Sequence, residues 1–360
     1  MHLDLIFVGF GKVGRRFARM LREQEARLAA DHGLEWRVVG IRTWRHGTAR
    51  NTAGLDVARA LDTVEGDLTL AALDEPTSLA GSPDMPTSAV GFIEQLARAR
   101  ADRGHVPVVV ETTVLDIRSG QPAIDHVRAA LRSGAHVLSA NKGPAAFAYR
   151  ELAELARERH RCFLFEGAVM DGVPIFNLVR ETMPAVRVSG FRGVVNSTTN
   201  HVLTVLEEGG EFDEALAQMQ AAGTTEADVS LDVDGWDAAA KTAALINVLM
   251  DGETTPAAIE RTGIGSISGR AVRDAVRRGR RVKLVASARR EAGRVVGRVA
   301  PEEVPESDLL ATLRGMQNAL VVDTDLLGRV AITQLDAGLT QTSYALLSDL
   351  IAVRRRLSGR

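Results

Sequence analysis

Short apolar runs alternate with amphipathic stretches through the first half of the chain, a pattern of buried parallel strands separated by crossover helices. Leu3 to Phe10 is the first run; it ends in Gly9-Phe10-Gly11-Lys12-Val13-Gly14, after which an amphipathic helix begins at Arg16. Further strands are predicted over Trp36 to Ile41, Pro107 to Glu111, Ala135 to Ser139 and Arg161 to Phe165. Helices over Gly91 to Arg103, Ile124 to Ser133 and Tyr149 to His160 separate them.

The second half has a different rhythm. Two strands near Arg187 to Val195 lead into the polar turn Asn196-Ser197-Thr198-Thr199-Asn200, where Ser or Thr suits the cap of a helix over His201 to Glu208. Gly209-Gly210 closes that helix, and another runs from Phe212 to Ala222. Beyond a Gly/Ser-rich connection at Gly263 to Ser268 come a basic helix around Arg270 to Arg280 and strands at Val282 to Ala288, Arg294 to Val299, Ala319 to Thr324 and Val330 to Thr333. A final helix is expected over about Thr340 to Arg354.

With 360 residues, 45% of them hydrophobic and 25% charged, the chain can bury two or three sizeable cores and is not disordered. A net charge of −2 supplies no basic field for nucleic acid. The cluster Arg277, Arg278, Arg280 and Arg281 reads as a solvated helix end. Single Cys162 cannot form an internal disulfide; it is expected in a strand core, consistent with a reducing compartment. No segment approaches the ~20 apolar residues of a membrane span, and the N-terminal run is short and carries Asp4, so a cytoplasmic location is expected.

Candidate chemistry falls at the ends of the apolar runs. A glycine turn between strand and helix lets a pyrophosphate approach the helix N-terminus, where free N–H groups favour anions, so Gly9, Gly11, Val13 and Gly14 are candidate dinucleotide contacts. The second strand ends Gly40-Ile41-Arg42-Thr43 with no acid to accept from a ribose 2′-hydroxyl. Arg42, then Arg45, suits a 2′-phosphate instead, which predicts NADP(H) preference. Thr112 and Thr113, and later Lys142, lie just past strand ends, where ligands sit in open α/β sheets.

Lysine is scarce: of 44 Lys and Arg residues only Lys12, Lys142, Lys241 and Lys283 are lysines. A retained lysine points to a site that needs a compact ammonium able to exchange a proton. Lys241 lies four residues after Asp237 in an Ala-rich helical run, which places the two on one face. The same spacing also makes ordinary surface ion pairs. Glu226, Asp228 and Asp232 precede them in a Thr- and Asp-rich loop, and Gly235 allows the turn into the helix.

The whole chain resembles the homoserine dehydrogenase family. The likeness is carried by GFGKVG from Gly9, ANKGP from Ala140, EGAVMDGVPI from Glu166, VVNSTTNHVLTVLEEGGEFDEAL from Val194, ERTGI from Glu260, KLVA from Lys283 and NALVVDTDLLG from Asn318. GTTEADVSLDVDGWDAAAK from Gly223 is the most specific stretch. The resemblance implies an α/β fold: a Rossmann-type domain over 1–145 completed by a helix at 338–356, a catalytic α+β region at 146–270 and dimerisation segments at 271–337. It also implies NAD(P)-linked interconversion of L-homoserine and L-aspartate 4-semialdehyde, a step towards threonine and methionine, in a homodimer. Lys241 would donate a proton to the aldehyde oxygen, with Asp237 orienting it and Lys142 beside the nicotinamide. Glu226, Asp232 and the backbone of Gly223 would hold the substrate, and Thr112 would touch the nicotinamide side of the cofactor. Glu166 with carbonyls at Val169, Asp171 and Val173 would bind a monovalent cation, Na⁺ or K⁺.

Three stretches depart from the family pattern. Gln334-Leu335-Asp336-Ala337-Gly338 replaces a glycine-rich run before the last helix, Ser197 stands in place of a glycine, and His201 in place of tyrosine. A related amino-acid semialdehyde is therefore an alternative substrate, and a dinucleotide-sensing protein without turnover a further alternative. A regulatory domain of the kind that some relatives append is not expected after Arg360.

Overall fold

In the computed structural model, residues 2–75, 86–221 and 229–359 are described. They form two six-stranded sheets. The first comprises β1 (His2–Val8), β2 (Glu35–Arg42), β3 (Thr48–Arg50), β4 (Val106–Glu111), β5 (His136–Ser139) and β6 (Phe163–Leu164), in the order β3-β2-β1-β4-β5-β6. Strands β2, β1, β4, β5 and β6 pair in parallel, whereas β3 turns back antiparallel on β2 as a hairpin that the apolar pattern did not announce.

The continuous apolar runs are explained by burial on both faces. Leu3, Leu5 and Phe7 face a core with Phe17 and Leu21 of the helix Lys12–Glu23, and Ile6 and Val8 face Phe92, Leu96 and Val127 on the other side. Leu346, Leu350 and Val353 of the last helix, Leu339–Leu357, complete the first of these cores. Asp4, fully buried within β1, is neutralised by Arg37 and Arg100. A carboxylate is retained in a dry strand only when paired in this way.

The second sheet runs β12 (Arg329–Gln334), β11 (Asn318–Thr324), β7 (Val188–Val194), β9 (Arg280–Glu291), β10 (Arg294–Pro305) and β8 (Glu260–Arg261). All its pairings are antiparallel except β8 with β10. Where two strands were expected near Arg187 to Val195 there is one, β7, because the stretch pairs with β9 on one side and β11 on the other, with a single irregularity opposite Asp323 and Thr324. The basic cluster is also reassigned: its helix ends at Arg277, and Arg280 and Arg281 open β9. Arg281 bridges Glu207 and Glu306 rather than ending a solvated helix. Cys162 is buried one residue ahead of β6.

Candidate active site

The helix Trp236–Leu249 is Ala-rich, starts from Gly235 in a left-handed conformation, and buries Ala239, Ala240, Ala243 and Ala244 completely. Its small side chains let the short helix Gly143–Phe147 pack against it, an approach fixed by Asn247, whose Nδ2 donates to the carbonyls of Ala145 (3.2 Å) and Ala146 (3.2 Å). The consequence is chemical. Lys142, at the start of the short helix, and Lys241, in the Ala-rich helix, close on the same carboxylate: Lys142 Nζ lies 2.9 Å from Asp237 Oδ1 and Lys241 Nζ 3.0 Å from Asp237 Oδ2. Three groups that the sequence placed in two distant motifs form one cluster, with 14–20% of each side chain exposed.

Asn196, read from the sequence as part of a polar turn, completes the cluster. Its Oδ1 accepts from Thr199 N (2.8 Å) and so caps a helix that begins at Ser197, earlier than expected and without a Ser or Thr cap. Its Nδ2 donates to Asp232 Oδ1 (2.6 Å) and Asp237 Oδ2 (2.9 Å), tying the two acids together. Asp232 lies in the short helix Ser230–Val233 rather than in an open loop. Asn141 was also missed. Its Nδ2 donates to Thr113 O (3.0 Å) and its Oδ1 accepts from Gly143 N (2.8 Å), which holds the β4 and β5 loops together beneath Lys142. The only sequence signal for these residues was their place inside the NST and ANKGP stretches. Gly223, Glu226 and Asp228 lie outside the described residues.

The charges reinforce one another. Burial pushes the Asp237 carboxyl up, but the two lysines outweigh it and hold that carboxyl well below the usual range. Burial likewise opposes the Lys241 ammonium, and Asp237, Asp171 and Asp232 reverse the balance, raising its pKa above the ordinary lysine value. Burial and the nearby Asp237 raise Asp232. Lys241 also donates to the Val195 carbonyl at 2.8 Å, so among the described residues two of its three N–H groups are engaged and one can reach a substrate oxygen.

Along the same carboxyl edge of the sheet, after β1, the glycine turn has the shape a dinucleotide needs. Gly9 has φ +85°, and a Cβ there would stand 2.7 Å from the Thr112 backbone; at Gly14 it would stand 3.0 Å from Thr112 Oγ1. At Gly11, by contrast, a Cβ meets nothing within 4 Å, and the helix from Lys12 has neither a side-chain cap nor an acid in its first turn. Val13 and Gly14 lie in that turn, beside open N–H groups suited to pyrophosphate. Thr112 Oγ1 donates to the Gly9 carbonyl at 2.9 Å, so this threonine supports the turn. Arg42 is already engaged: it donates to Thr48 Oγ1 (3.2 Å), Pro86 O (3.0 Å) and Thr87 O (2.7 Å), and burial lowers its pKa. Arg45 forms an exposed pair with Asp67 at 2.9 Å.

The oxygen-rich loop after β6 lies near the cluster. Both oxygens of Glu166 accept backbone N–H groups, from Phe176 (2.7 Å) and Asn177 (2.8 Å); burial and Asp349 push its carboxyl up to about 8. Met170, Asp171 and Gly172 are all left-handed (φ 50°, 50° and 113°). The Val173 carbonyl accepts from Ile175 N at 2.8 Å, and Asp171 Oδ1 accepts from Thr342 at 3.1 Å. Oxygen is the donor a hard cation takes, but both Glu166 oxygens, Asp171 Oδ1 and the Val173 carbonyl already accept hydrogen bonds within the protein.

His201 packs half-buried against Gln218. The departures at Ser197 and Gln334 meet: Asn318 Nδ2 donates to Ser197 Oγ (2.8 Å) and to Gln334 Oε1 (3.2 Å). Of the remaining lysines, Lys283 is wholly buried and holds Asn200 Oδ1 (3.0 Å) and Leu313 O (2.7 Å), a structural role.

Comparison with known proteins agrees with this geometry. The family model described as homoserine dehydrogenase matches residues 174–351, and that for the homoserine dehydrogenase NAD binding domain matches residues 9–166. The NAD(+)-dependent homoserine dehydrogenase of Pseudomonas canavaninivorans is 34% identical over 98% of this chain and 96% of its own, and the homoserine dehydrogenase of Methanocaldococcus jannaschii 33% identical over 98% of each. A hyperthermophilic archaeal homoserine dehydrogenase solved with NADPH superposes with a TM-score of 0.77 at 27% identity, over 99% of this chain and 98% of that one. The chain belongs to the homoserine dehydrogenase family, NAD(P)-dependent oxidoreductases acting on a CH–OH group.

Proposed function

We propose that the chain interconverts L-homoserine and L-aspartate 4-semialdehyde with preference for NADP(H), in the route to threonine and methionine. The nicotinamide dinucleotide, when bound, supplies or accepts the hydride. Lys241 gives its proton to the aldehyde oxygen during reduction and takes it back during oxidation. Asp237 fixes the direction of that ammonium, and Lys142 adds a second positive charge where alkoxide charge develops. Help of this kind is typically worth ~10² to 10⁴ in rate. Asp232, with Glu226 and Gly223 outside the described residues, receives the substrate's α-ammonium. Glu166 and the carbonyls of Val169, Asp171 and Val173 hold a monovalent cation that steadies the loop beside the site.

The observation that carries the reading is a single carboxylate, Asp237, gripped from both sides by Lys142 and Lys241. Such an assembly serves charge control at a reacting oxygen and has no use in a protein that only senses a dinucleotide. Preference for NADP(H) is supported by the missing acid at the end of β2 and by the relative solved with NADPH. The Pseudomonas relative named as NAD(+)-dependent favours the other cofactor. Arg45 is the easier arginine to redirect, because its exposed pair with Asp67 is worth only ~0–1 kcal/mol.

The test is reduction of NADP⁺ and NAD⁺ by purified protein with L-homoserine, repeated for Lys241→Ala. Loss of most turnover in the variant with NADPH affinity kept is expected; retained turnover rejects the role of Lys241. Turnover with another amino alcohol and none with homoserine would favour the related semialdehyde, a reading supported by the contact of the divergent Ser197 and Gln334 through Asn318. The strand β12, at the edge of the second sheet with Val330 and Ile332 half-buried, supports assembly as a homodimer. No helix among the described residues is long and apolar enough to cross a membrane.

A further inference from the structure

Trp44 is 103% exposed, fully presented to solvent at the tip of the β2–β3 hairpin. Its neighbours are all anchored. Thr43 Oγ1 donates to Gly47 O (3.2 Å) and accepts from His46 N (2.8 Å), Arg45 pairs with Asp67 (2.9 Å), and the His46 ring meets the Leu68 carbonyl (3.1 Å). Held chiefly through Thr43 and His46, with Arg45 in a weak exposed pair, the loop is a mount that projects one large aromatic ring. The mount is also tied to the phosphate turn, since Gly9 N donates to the Arg42 carbonyl at 2.9 Å. A dinucleotide whose pyrophosphate lies at the open Gly11 turn carries its adenosine half towards the carboxyl end of β2, where the hairpin begins.

We propose that Trp44 is the stacking platform for the cofactor's adenine ring. An indole face gains from stacking on any purine, and it does so without hydrogen-bond demands that would distinguish NAD from NADP. The exposed Arg45 next to it suits the phosphates or ribose edge of the same nucleotide, whereas Arg42 is held by its own acceptors. Together they form a site in which the aromatic ring supplies affinity and Arg45 supplies cofactor choice. The proposal rests on dinucleotide binding at the Gly9 turn, though not on which dinucleotide is preferred.

The experiment is calorimetric titration of the full chain with ADP-ribose, 2′-phospho-ADP-ribose and reduced nicotinamide mononucleotide, which lacks adenine. Trp44→Ala is expected to weaken both adenine ligands about 5- to 100-fold and to leave the mononucleotide unchanged, while Trp44→Phe retains most of the affinity. Quenching of tryptophan emission by ADP-ribose should vanish in Trp44→Phe, although Trp36 and Trp236 remain. Wild-type binding with unaltered affinity in Trp44→Ala overturns the platform, as does a Trp44→Ala protein that changes only its oligomeric state. Failure of the wild type to bind any adenine ligand would instead overturn the dinucleotide site on which the proposal stands.

Discussion

Asp237→Asn removes the one charge that Lys142 and Lys241 share while keeping the shape of the side chain. At about 3 Å and an effective dielectric constant near 20, each contact carries roughly 5 kcal/mol of Coulomb energy. Desolvation offsets part of this, and taking one partner from a buried pair costs about 3–5 kcal/mol net. The partial exposure of these side chains, 14–20%, places the expected loss near the lower figure, ~3 kcal/mol. Without that carboxylate the Lys241 proton should become easier to lose. The direction follows from what remains: burial, which opposes the ammonium, is then countered only by Asp171 and Asp232.

Reduction of aspartate 4-semialdehyde, measured as kcat/KM against pH with saturating NADPH, reads this directly. The alkaline limb, where the proton donor is lost, should move to lower pH. Stability should respond on both sides. The depressed Asp237 contributes stability above its unfolded pKa that is lost as pH falls through the folded value; the raised Lys241 contributes stability below its unfolded pKa that is lost as pH rises through the folded value. Asp237→Asn should flatten both limbs. An alkaline limb that stays in place would refute the coupling between Asp237 and Lys241.

Three other outcomes are expected. Asn196→Ala removes charge-assisted hydrogen bonds to Asp232 and Asp237, each worth about 1.5–3 kcal/mol, so kcat/KM for homoserine should fall by one to two powers of ten with NADPH affinity kept; unchanged kinetics would reduce Asn196 to a helix cap. Arg45→Asp should lower the NADP/NAD ratio of kcat/KM more than Arg42→Asp does, since Arg42 is held by three acceptors; equal ratios in both variants and wild type would reject the arginine assignment. His136 is buried, and burial with Arg161 and Arg356 lowers its pKa to about 4. The unfolded chain then binds the proton first as pH falls from 6.5 to 4, so this group should withdraw about 3 kcal/mol of stability over that interval. Urea melts of His136→Gln that keep the wild-type slope would contradict this.

The nucleotide-binding half was legible because its signals are local. An apolar run, a glycine turn and an amphipathic helix lie consecutively, and Gly9 and Gly14 have the close approaches the motif requires. Lysine scarcity singled out Lys142 and Lys241, but helical spacing could join only Lys241 to Asp237. That Lys142 grips the same carboxylate depends on the packing of Gly143–Phe147 against Ala145- and Ala146-facing Asn247, a contact spanning some hundred residues. Asn196 was hidden for a different reason: one amide serves as both cap and bridge, and its sequence signature is that of a cap alone. Arg42 looked available because its acceptors, the carbonyls of Pro86 and Thr87, come from a distant segment. The acid-rich loop whose Gly223 and Glu226 were expected to hold substrate lies outside the described residues.

The Lys241 ammonium, steadied by Asp237, is expected to meet the oxygen on which negative charge develops as hydride reaches or leaves its carbon. A crystal structure of the ternary complex with NADP⁺ and L-homoserine tests it most directly. Lys241 Nζ should lie within hydrogen-bond reach of the substrate hydroxyl while still paired with Asp237. A hydroxyl held elsewhere, with Lys241 bound only to Asp237 and the Val195 carbonyl as in the free protein, would contradict it.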